Sequence, residues 1–165
     1  MEDTDIIMQG PICDSTKGSV EEYLKLPFVS KIIVSTWNSD RDKVDFQESE
    51  KVKVVFSDPP NHDGGGNVNY QIISSMRGIK VSDAAIVIKM RTDQTIAHDD
   101  MIRMNEFYLK NRTALGEIFV LGLTGTDLPS HPYHPQDHVF WGKRKDVEDL
   151  FDIPLAEWTT YQPNE

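Results

Sequence analysis

The stretch that decides the fold is AIVIKMRTD, residues 85–93, which changes character near its end. Its first part, residues 85–90, is mostly apolar and β-branched, and such a run predicts a central strand buried on both faces of a sheet. It then ends on Arg91, Thr92 and Asp93. In open α/β sheets, ligands bind outside the carboxyl ends of the strands, so these three residues form a candidate site. The alternative is a surface salt bridge between Arg91 and Asp93, and the stretch alone favours neither.

Strand and helix patterns alternate along most of the chain. Short apolar runs predict strands, and apolar residues at helical spacing predict helices between them. This alternation predicts an α/β fold with a mainly parallel sheet and helices on both faces, in one domain over residues 1–165. The final third is less regular, and we expect it to add antiparallel or edge strands. The predicted strands are 6–8, 31–37, 52–56, 85–90, 118–123 and 138–142, and the predicted helices are 15–26, 67–80, 99–110 and 145–151.

Composition limits the class of partner and the compartment. The net charge of -10 argues against a general nucleic-acid binder, which needs a basic face. A nucleotide ligand remains compatible with it, because a divalent cation, a helix N-terminus or a few local cations can hold phosphates. No apolar run approaches the roughly 18 residues of a transmembrane segment. The acidic N-terminus shows no signal peptide, so we expect a cytoplasmic location, with peripheral attachment to the inner face of the membrane as the alternative.

Polar residues follow several predicted strands, and a parallel sheet would gather them at one edge. Trp37 ends the second strand and offers an aromatic face to a base or a sugar. Asn67 begins the clearest helix, whose free N–H groups suit phosphate. The glycine triplet at 64–66 is a weak signal, better explained as a flexible loop, and the sequence has neither a Walker loop nor G-x-G-x-x-G. The other residues expected at this edge are Gln9, Gly10, Pro11, Ser35, Thr36 and Arg91.

Six motifs, in chain order, resemble the WavE lipopolysaccharide-synthesis family of bacterial glycosyltransferases. The resemblance covers residues 5–155 and implies a GT-A-like, Rossmann-like sheet with a short acidic motif after a central strand. It also implies an enzyme that moves a sugar from a nucleotide-diphosphate donor to a lipopolysaccharide or other surface-polysaccharide acceptor. The motifs are DIIMQGPI (5–12), KIIVSTW (31–37), VVFSDPP (54–60), NVNYQIISSMRGIK (67–80), VIKMRTD (87–93) and DHVFWGKRKDVEDLFDIPL (137–155).

The resemblance assigns the acidic D-x-D position to Arg91-Thr92-Asp93, where Arg91 replaces the first aspartate. Asp93 alone could hold a divalent cation, Mn²⁺ or Mg²⁺, that bridges the diphosphate. Alternatively, Arg91 could neutralise the diphosphate directly, because a guanidinium makes bidentate phosphate contacts. We slightly favour the cation on Asp93.

The same resemblance implies the remaining roles. The donor's base and ribose would lie among residues 9–11 and 35–37, and Asn67 and Asn69 would face the donor from the start of their helix. In inverting GT-A enzymes a late carboxylate acts as the base on the acceptor hydroxyl, and Asp137 is the candidate here. The alternative is that Asp137 caps a turn or pairs with His138.

Two other functions stay open. The first is a binding module of the same fold without turnover, because 165 residues leave little room for a complete acceptor-binding region. The second, weaker one is a nucleotidyltransferase. Against it, the first strand leads into Gln9-Gly10-Pro11-Ile12 and not into the glycine-rich basic loop that holds a triphosphate.

Overall fold

The apolar runs form one six-stranded sheet in a computed structural model of the chain, which describes residues 2–115, 118–121 and 138–157. The strand order across the sheet is β3-β2-β1-β4-β6-β5. The strands are β1 (Thr4–Gln9), β2 (Val29–Trp37), β3 (Val52–Ser57), β4 (Ile86–Arg91), β5 (Ile118–Leu121) and β6 (Val139–Lys143), and the helices are α1 (Thr16–Tyr23), α2 (Val68–Val81), α3 (His98–Leu115) and α4 (Arg144–Phe151).

The sheet is mixed, as the sequence predicted. Strands β1 to β4 run parallel to one another, whereas β6 runs antiparallel to both β4 and β5. The register aligns Gln9 with Ser35 on one side and with Arg91 on the other. The ends of β1, β2 and β4 therefore lie side by side, which the candidate site requires.

Two apolar layers hold the helices on the two faces of the sheet. Because side chains alternate along a strand, Ile6 and Met8 of β1 face one layer and Ile7 faces the other. Helices α1 and α3 pack in the first layer and α2 and α4 in the second. All three of these β1 side chains are fully buried, and burial of such a side chain contributes about 1.5–3 kcal/mol.

The observed helices differ from the predicted ones mainly at their ends. Helix α1 ends at Tyr23 and not near Pro27, because Lys25 and Leu26 donate tight bonds to carbonyls three residues earlier. The predicted strand 118–123 extends past the described β5. Among the described helices, none combines the length and the apolar character needed to cross a bilayer.

Candidate functional site

A cavity of about 430 Å³ lies at the carboxyl ends of the parallel strands. Its walls come from the ends of β1, β2 and β4 and from the first turn of α2. The register of the three strands brings these ends together. The lining residues are Gln9, Gly10, Pro11, Trp37, Gly66, Asn67, Tyr70, Gln71, Arg91, Thr92 and Asp93.

Thr92 ties the end of β4 to the loop after β1. Its N–H donates to the Gln9 carbonyl at 3.0 Å, and its Oγ1 donates to the Pro11 carbonyl at 2.6 Å. Gly10 lies between these contacts with φ +124°, and a Cβ there would meet Thr92 Oγ1 at 3.0 Å. The close approach of the two loops therefore requires a glycine at position 10.

Gln9 is a buried polar side chain of the cavity wall, with 6% of its surface exposed. Its Oε1 accepts a hydrogen bond of 2.6 Å from Ser74 on α2. Since the oxygen has this donor, the amide NH₂ is the end that a ligand acceptor can use.

Two aromatic rings form one wall of the cavity. Trp37 at the end of β2 and Tyr70 on α2 meet edge to face, with ring centroids 5.1 Å apart and planes at 84°. Trp37 is buried, whereas Tyr70 is half-buried. Such a pair offers a ring surface on which a base or a sugar can stack.

A bidentate ion pair stands at the end of β4. Arg91 Nε donates to Asp93 Oδ1 at 2.9 Å and Nη2 donates to Asp93 Oδ2 at 2.5 Å. This guanidinium lowers the pKa of Asp93, while partial burial opposes the shift. The surface salt bridge considered from the sequence is thus formed, and both of its partners also line the cavity.

The loop before α2 is held by a buried asparagine. Asn69 is fully buried, and its Nδ2 donates to the Ala156 carbonyl at 2.9 Å while its Oδ1 accepts from the Ala156 N–H at 2.7 Å. Gly64 has φ +76°, and a Cβ there would lie 2.6 Å from the Asn69 side chain. Gly64, the first glycine of the triplet, therefore has a steric reason beyond flexibility. Asn67, the residue before α2, adopts φ 65° and makes no side-chain cap.

The structure brings most of the predicted residues together but not all. Ser35 and Thr36 are fully buried in β2 and do not line the cavity; the Thr36 hydroxyl donates to Asp40. Asn69 holds the chain at Ala156 and is likewise absent from the lining. Asp137 lies outside the described residues. The predicted residues that do line the cavity are Gln9, Gly10, Pro11, Trp37, Asn67, Arg91, Thr92 and Asp93.

The prediction did not name two lining residues, Tyr70 and Gln71, whereas Gly66 belongs to the glycine loop expected at the same edge. A usable signal was present for both. A helix that begins at a ligand site brings its whole first turn there, and Tyr70 and Gln71 lie in the first turn of α2. Neither belongs to the apolar stripe that packs on the sheet.

The described donors do not fit a divalent cation. Asp93 is the single carboxylate among the described lining residues, and both of its oxygens contact the Arg91 guanidinium. A cation bound to Asp93 would have to displace that positive group or lie against it. Elsewhere in the described ranges, no three His, Cys, Asp or Glu side chains gather in a way that could hold a metal ion.

Comparison with known proteins assigns a family. The sequence profile of a family described as WavE lipopolysaccharide synthesis matches residues 5–165, and the chain belongs to this family. The resemblance seen in the six motifs is thereby confirmed. No curated protein matches the chain.

Solved structures share the fold at low sequence identity. Rv0371c from Mycobacterium tuberculosis is 13% identical, with a TM-score of 0.60, and the match covers 95% of this chain and 78% of that one. A CMP:2-keto-3-deoxy-manno-octonic acid synthetase complexed with CTP is 11% identical, with a TM-score of 0.55 and coverages of 95% and 80%. Glucosyl-3-phosphoglycerate synthase from Mycobacterium tuberculosis, in complex with Mn²⁺, UDP and phosphoglyceric acid, is 12% identical, with a TM-score of 0.51 and coverages of 87% and 56%. Rv0371c has also been solved in complex with manganese. These likenesses show a Rossmann-like α/β fold of the kind that nucleotidyltransferases and GT-A glycosyltransferases share.

Proposed function

We propose that this WavE-family chain is a glycosyltransferase that transfers a sugar from a nucleotide-diphosphate donor to a lipopolysaccharide or other surface-polysaccharide acceptor. One observation carries the proposal: the cavity at the carboxyl edge combines a two-ring aromatic wall with an arginine. A nucleotide has the matching parts, because its base stacks on rings and its phosphates pair with a guanidinium.

The dimensions of the cavity support a nucleotide-sized ligand. About 430 Å³ falls within the range of roughly 300–1,000 Å³ that small-molecule sites occupy. In this arrangement Trp37 and Tyr70 hold the base or ribose, and the Gln9 NH₂ group donates to one of its acceptors. The fold-level likeness to structures containing CTP or UDP is consistent with a nucleotide ligand.

The reaction we propose is attack of an acceptor hydroxyl on the anomeric carbon of the donor sugar. The bond to the diphosphate breaks as the new glycosidic bond forms, and Arg91 stabilises the charge on the leaving diphosphate. Asp137 is the proposed base that takes the proton of the hydroxyl. Strand β6 supports this assignment. It begins at Val139, two residues after Asp137 in the sequence, and Val139 pairs with Met90, which directly precedes Arg91 in β4.

Calorimetric titration with UDP, GDP, CDP and ADP tests the donor site. We expect one nucleoside diphosphate to bind, and Tyr70→Ala to weaken that binding by about 10- to 100-fold, the usual effect of losing one stacked ring. Phe107→Ala removes an exposed ring on α3 and serves as the control, with unchanged affinity. If no nucleotide binds the wild-type chain, the donor site is refuted.

A binding module without turnover is the second candidate, favoured by one observation. The single carboxylate among the described cavity residues, Asp93, is engaged by Arg91 and is poorly placed to act as a base. The two candidates differ in whether Asp137 matters. A transferase releases free nucleoside diphosphate from its donor sugar, and Asp137→Asn abolishes this release while leaving donor binding intact. A binding module releases none with either chain.

A further inference from the structure

We propose that the diphosphate of the donor replaces the Asp93 carboxylate on the Arg91 guanidinium, so that the donor binds without a divalent cation. This inference rests on the proposed function and names how the same cavity recognises its ligand. It differs from the sequence-based expectation, which slightly favoured a cation on Asp93.

Charge is the first argument. Among the described residues that line the cavity, Arg91 is the single cationic side chain and Asp93 is the single anionic one. The remaining described lining residues are neutral. Within the described lining, Arg91 is therefore the charged side chain that attracts an anionic ligand, and it already makes the fork-shaped contact that phosphate oxygens use as well as carboxylate oxygens do.

Accessibility is the second argument. The side chains of Arg91 and Asp93 are 38% and 46% exposed, so their ion pair is open to solvent and to a ligand. An exposed ion pair is typically weak, with an interaction free energy that corresponds to an affinity factor of at most about five. A diphosphate carries more charge than one carboxylate and can displace it. Asp93 thus holds the position on the Arg91 guanidinium that we assign to the diphosphate.

A divalent cation between Asp93 and the diphosphate is the competing arrangement. A cation bridging Asp93 to the diphosphate would lie within a few ångströms of the guanidinium, which contacts both carboxylate oxygens. Like charges at that separation repel, so the arginine and the cation are alternatives at this position. In this chain the position before Thr92 is an arginine. Its side chain supplies the positive charge that a divalent cation would supply if the residue were an aspartate.

Calorimetry with the tightest-binding of the four nucleoside diphosphates, first in EDTA and then in Mn²⁺, tests the inference on the full chain. In EDTA we expect the wild type to bind, and Arg91→Gln to lose about 10- to 100-fold in affinity, because charge-assisted hydrogen bonds disappear. Asp93→Asn is expected to gain up to about five-fold, because the competing carboxylate is gone. Arg77→Gln and Asp42→Asn are matched controls, since both residues are exposed and neither lines the cavity.

Binding through Arg91 and binding through a cation on Asp93 predict opposite orders of nucleotide affinity for the two variants. Binding that needs Mn²⁺, is abolished in Asp93→Asn and persists in Arg91→Gln would overturn the inference and leave the donor site in place. Failure of every nucleotide to bind in either condition would instead overturn the proposed function, and the inference with it. Inorganic pyrophosphate supplies a measurement that needs no variant: it competes with the nucleotide in EDTA if Arg91 holds the diphosphate, and its failure to compete there counts against the inference.

Discussion

Both edges of the parallel part of the sheet bury an aspartate, yet the pKa values of the two carboxyls shift in opposite directions. At the amino edge, Asp5 accepts one hydrogen bond of 2.7 Å from Ser82, and its Oδ1 is buried without a partner. Burial raises the pKa of Asp5. At the carboxyl edge, Asp40 accepts hydrogen bonds from the Ile12 N–H, the Thr36 hydroxyl and Lys43. Burial works to raise the pKa of Asp40 too, but these donors outweigh it and the pKa is lowered.

The difference indicates what each edge is built for. Asp40 fixes the loop after β1 to the segment after β2, beneath the loops that form the cavity. Asp5 closes the opposite end, where Ser82 follows α2. A polar group that is fully supplied with donors stabilises the loops around a site, whereas one that is partly supplied costs stability. The edge that carries the cavity is therefore also the edge whose buried carboxylate is satisfied.

Asp40→Ala is expected to have the largest effect on stability. The substitution leaves the Ile12 N–H and the Thr36 hydroxyl buried without an acceptor, and we expect a loss of about 2–4 kcal/mol in the free energy of unfolding. Urea titration measures it. Asp42→Ala, on an exposed neighbour, is the control and should change the free energy little. A loss for Asp40→Ala no larger than that of the control would break the contrast between the two edges.

The pH dependence of this loss follows from the lowered pKa. A carboxyl whose folded pKa lies below its unfolded pKa contributes stability above the unfolded value, and that stability disappears as the pH falls through the folded value. The difference between wild type and Asp40→Ala should therefore shrink in acid. A difference that grows in acid would contradict the lowered pKa of Asp40.

Helix α2 connects the two edges, and its close packing on β1 gives the next largest effect. A Cβ on Gly78 would lie 2.4 Å from Ile7 Cγ2, so Gly78→Ala must move the helix from the sheet. Overpacking costs about 1–3 kcal/mol and alanine regains up to about 1 kcal/mol of helix propensity, so we expect a net loss of about 1–2 kcal/mol.

The matched control is Gly18→Ala in α1. Its new Cβ meets no atom within 4 Å, so the same chemical change should stabilise the chain by about 0.5–1 kcal/mol. Thermal or urea unfolding of both variants checks the opposite signs. If both variants stabilise the chain, α2 has room to adjust and does not link the edges rigidly.

The sequence predicted the sheet well because its strands are signalled locally. Apolar, β-branched runs such as those of β2 and β4 require burial on both faces, and the alternation with helices sets the parallel order. Strand ends follow from the same pattern, which is why Gln9, Trp37 and Arg91 were placed at the cavity correctly. The family, too, was identified from motifs along the chain.

The remaining site residues depend on contacts that no local pattern encodes. Asn69 was expected to face the donor, but its bonds to Ala156 link positions 87 residues apart. Ser35 and Thr36 were assigned by their place at a strand end, although only one side chain in two faces the same side there. Tyr70 was overlooked although the first turn of α2 signals its place, because its ring contact with Trp37 of β2 forms only when the helix packs against the sheet.

Asp5→Asn is expected to have the smallest effect, with the sign opposite to that of the Asp40 variant. Burial holds the pKa of Asp5 above its ordinary value, so folding penalises the ionised carboxylate at neutral pH. The neutral amide removes this penalty while its oxygen still accepts from Ser82. We expect a gain of up to about 1 kcal/mol in the free energy of unfolding at neutral pH.

The sign of the pH dependence separates this effect from a change in packing. A group whose folded pKa is raised contributes stability below its unfolded pKa, and that stability is lost as the pH rises through the folded value. The advantage of Asp5→Asn over wild type should therefore vanish in acid and grow as the pH rises through that window, whereas the Asp40→Ala deficit is smallest in acid. Asp83→Asn, at an exposed carboxylate of the same edge that bonds Lys31, is the comparison variant, because its lowered pKa predicts a deficit and not a gain. A gain for Asp5→Asn that is the same at every pH would mean that the amide packs better, and that buried charge does not distinguish the two edges.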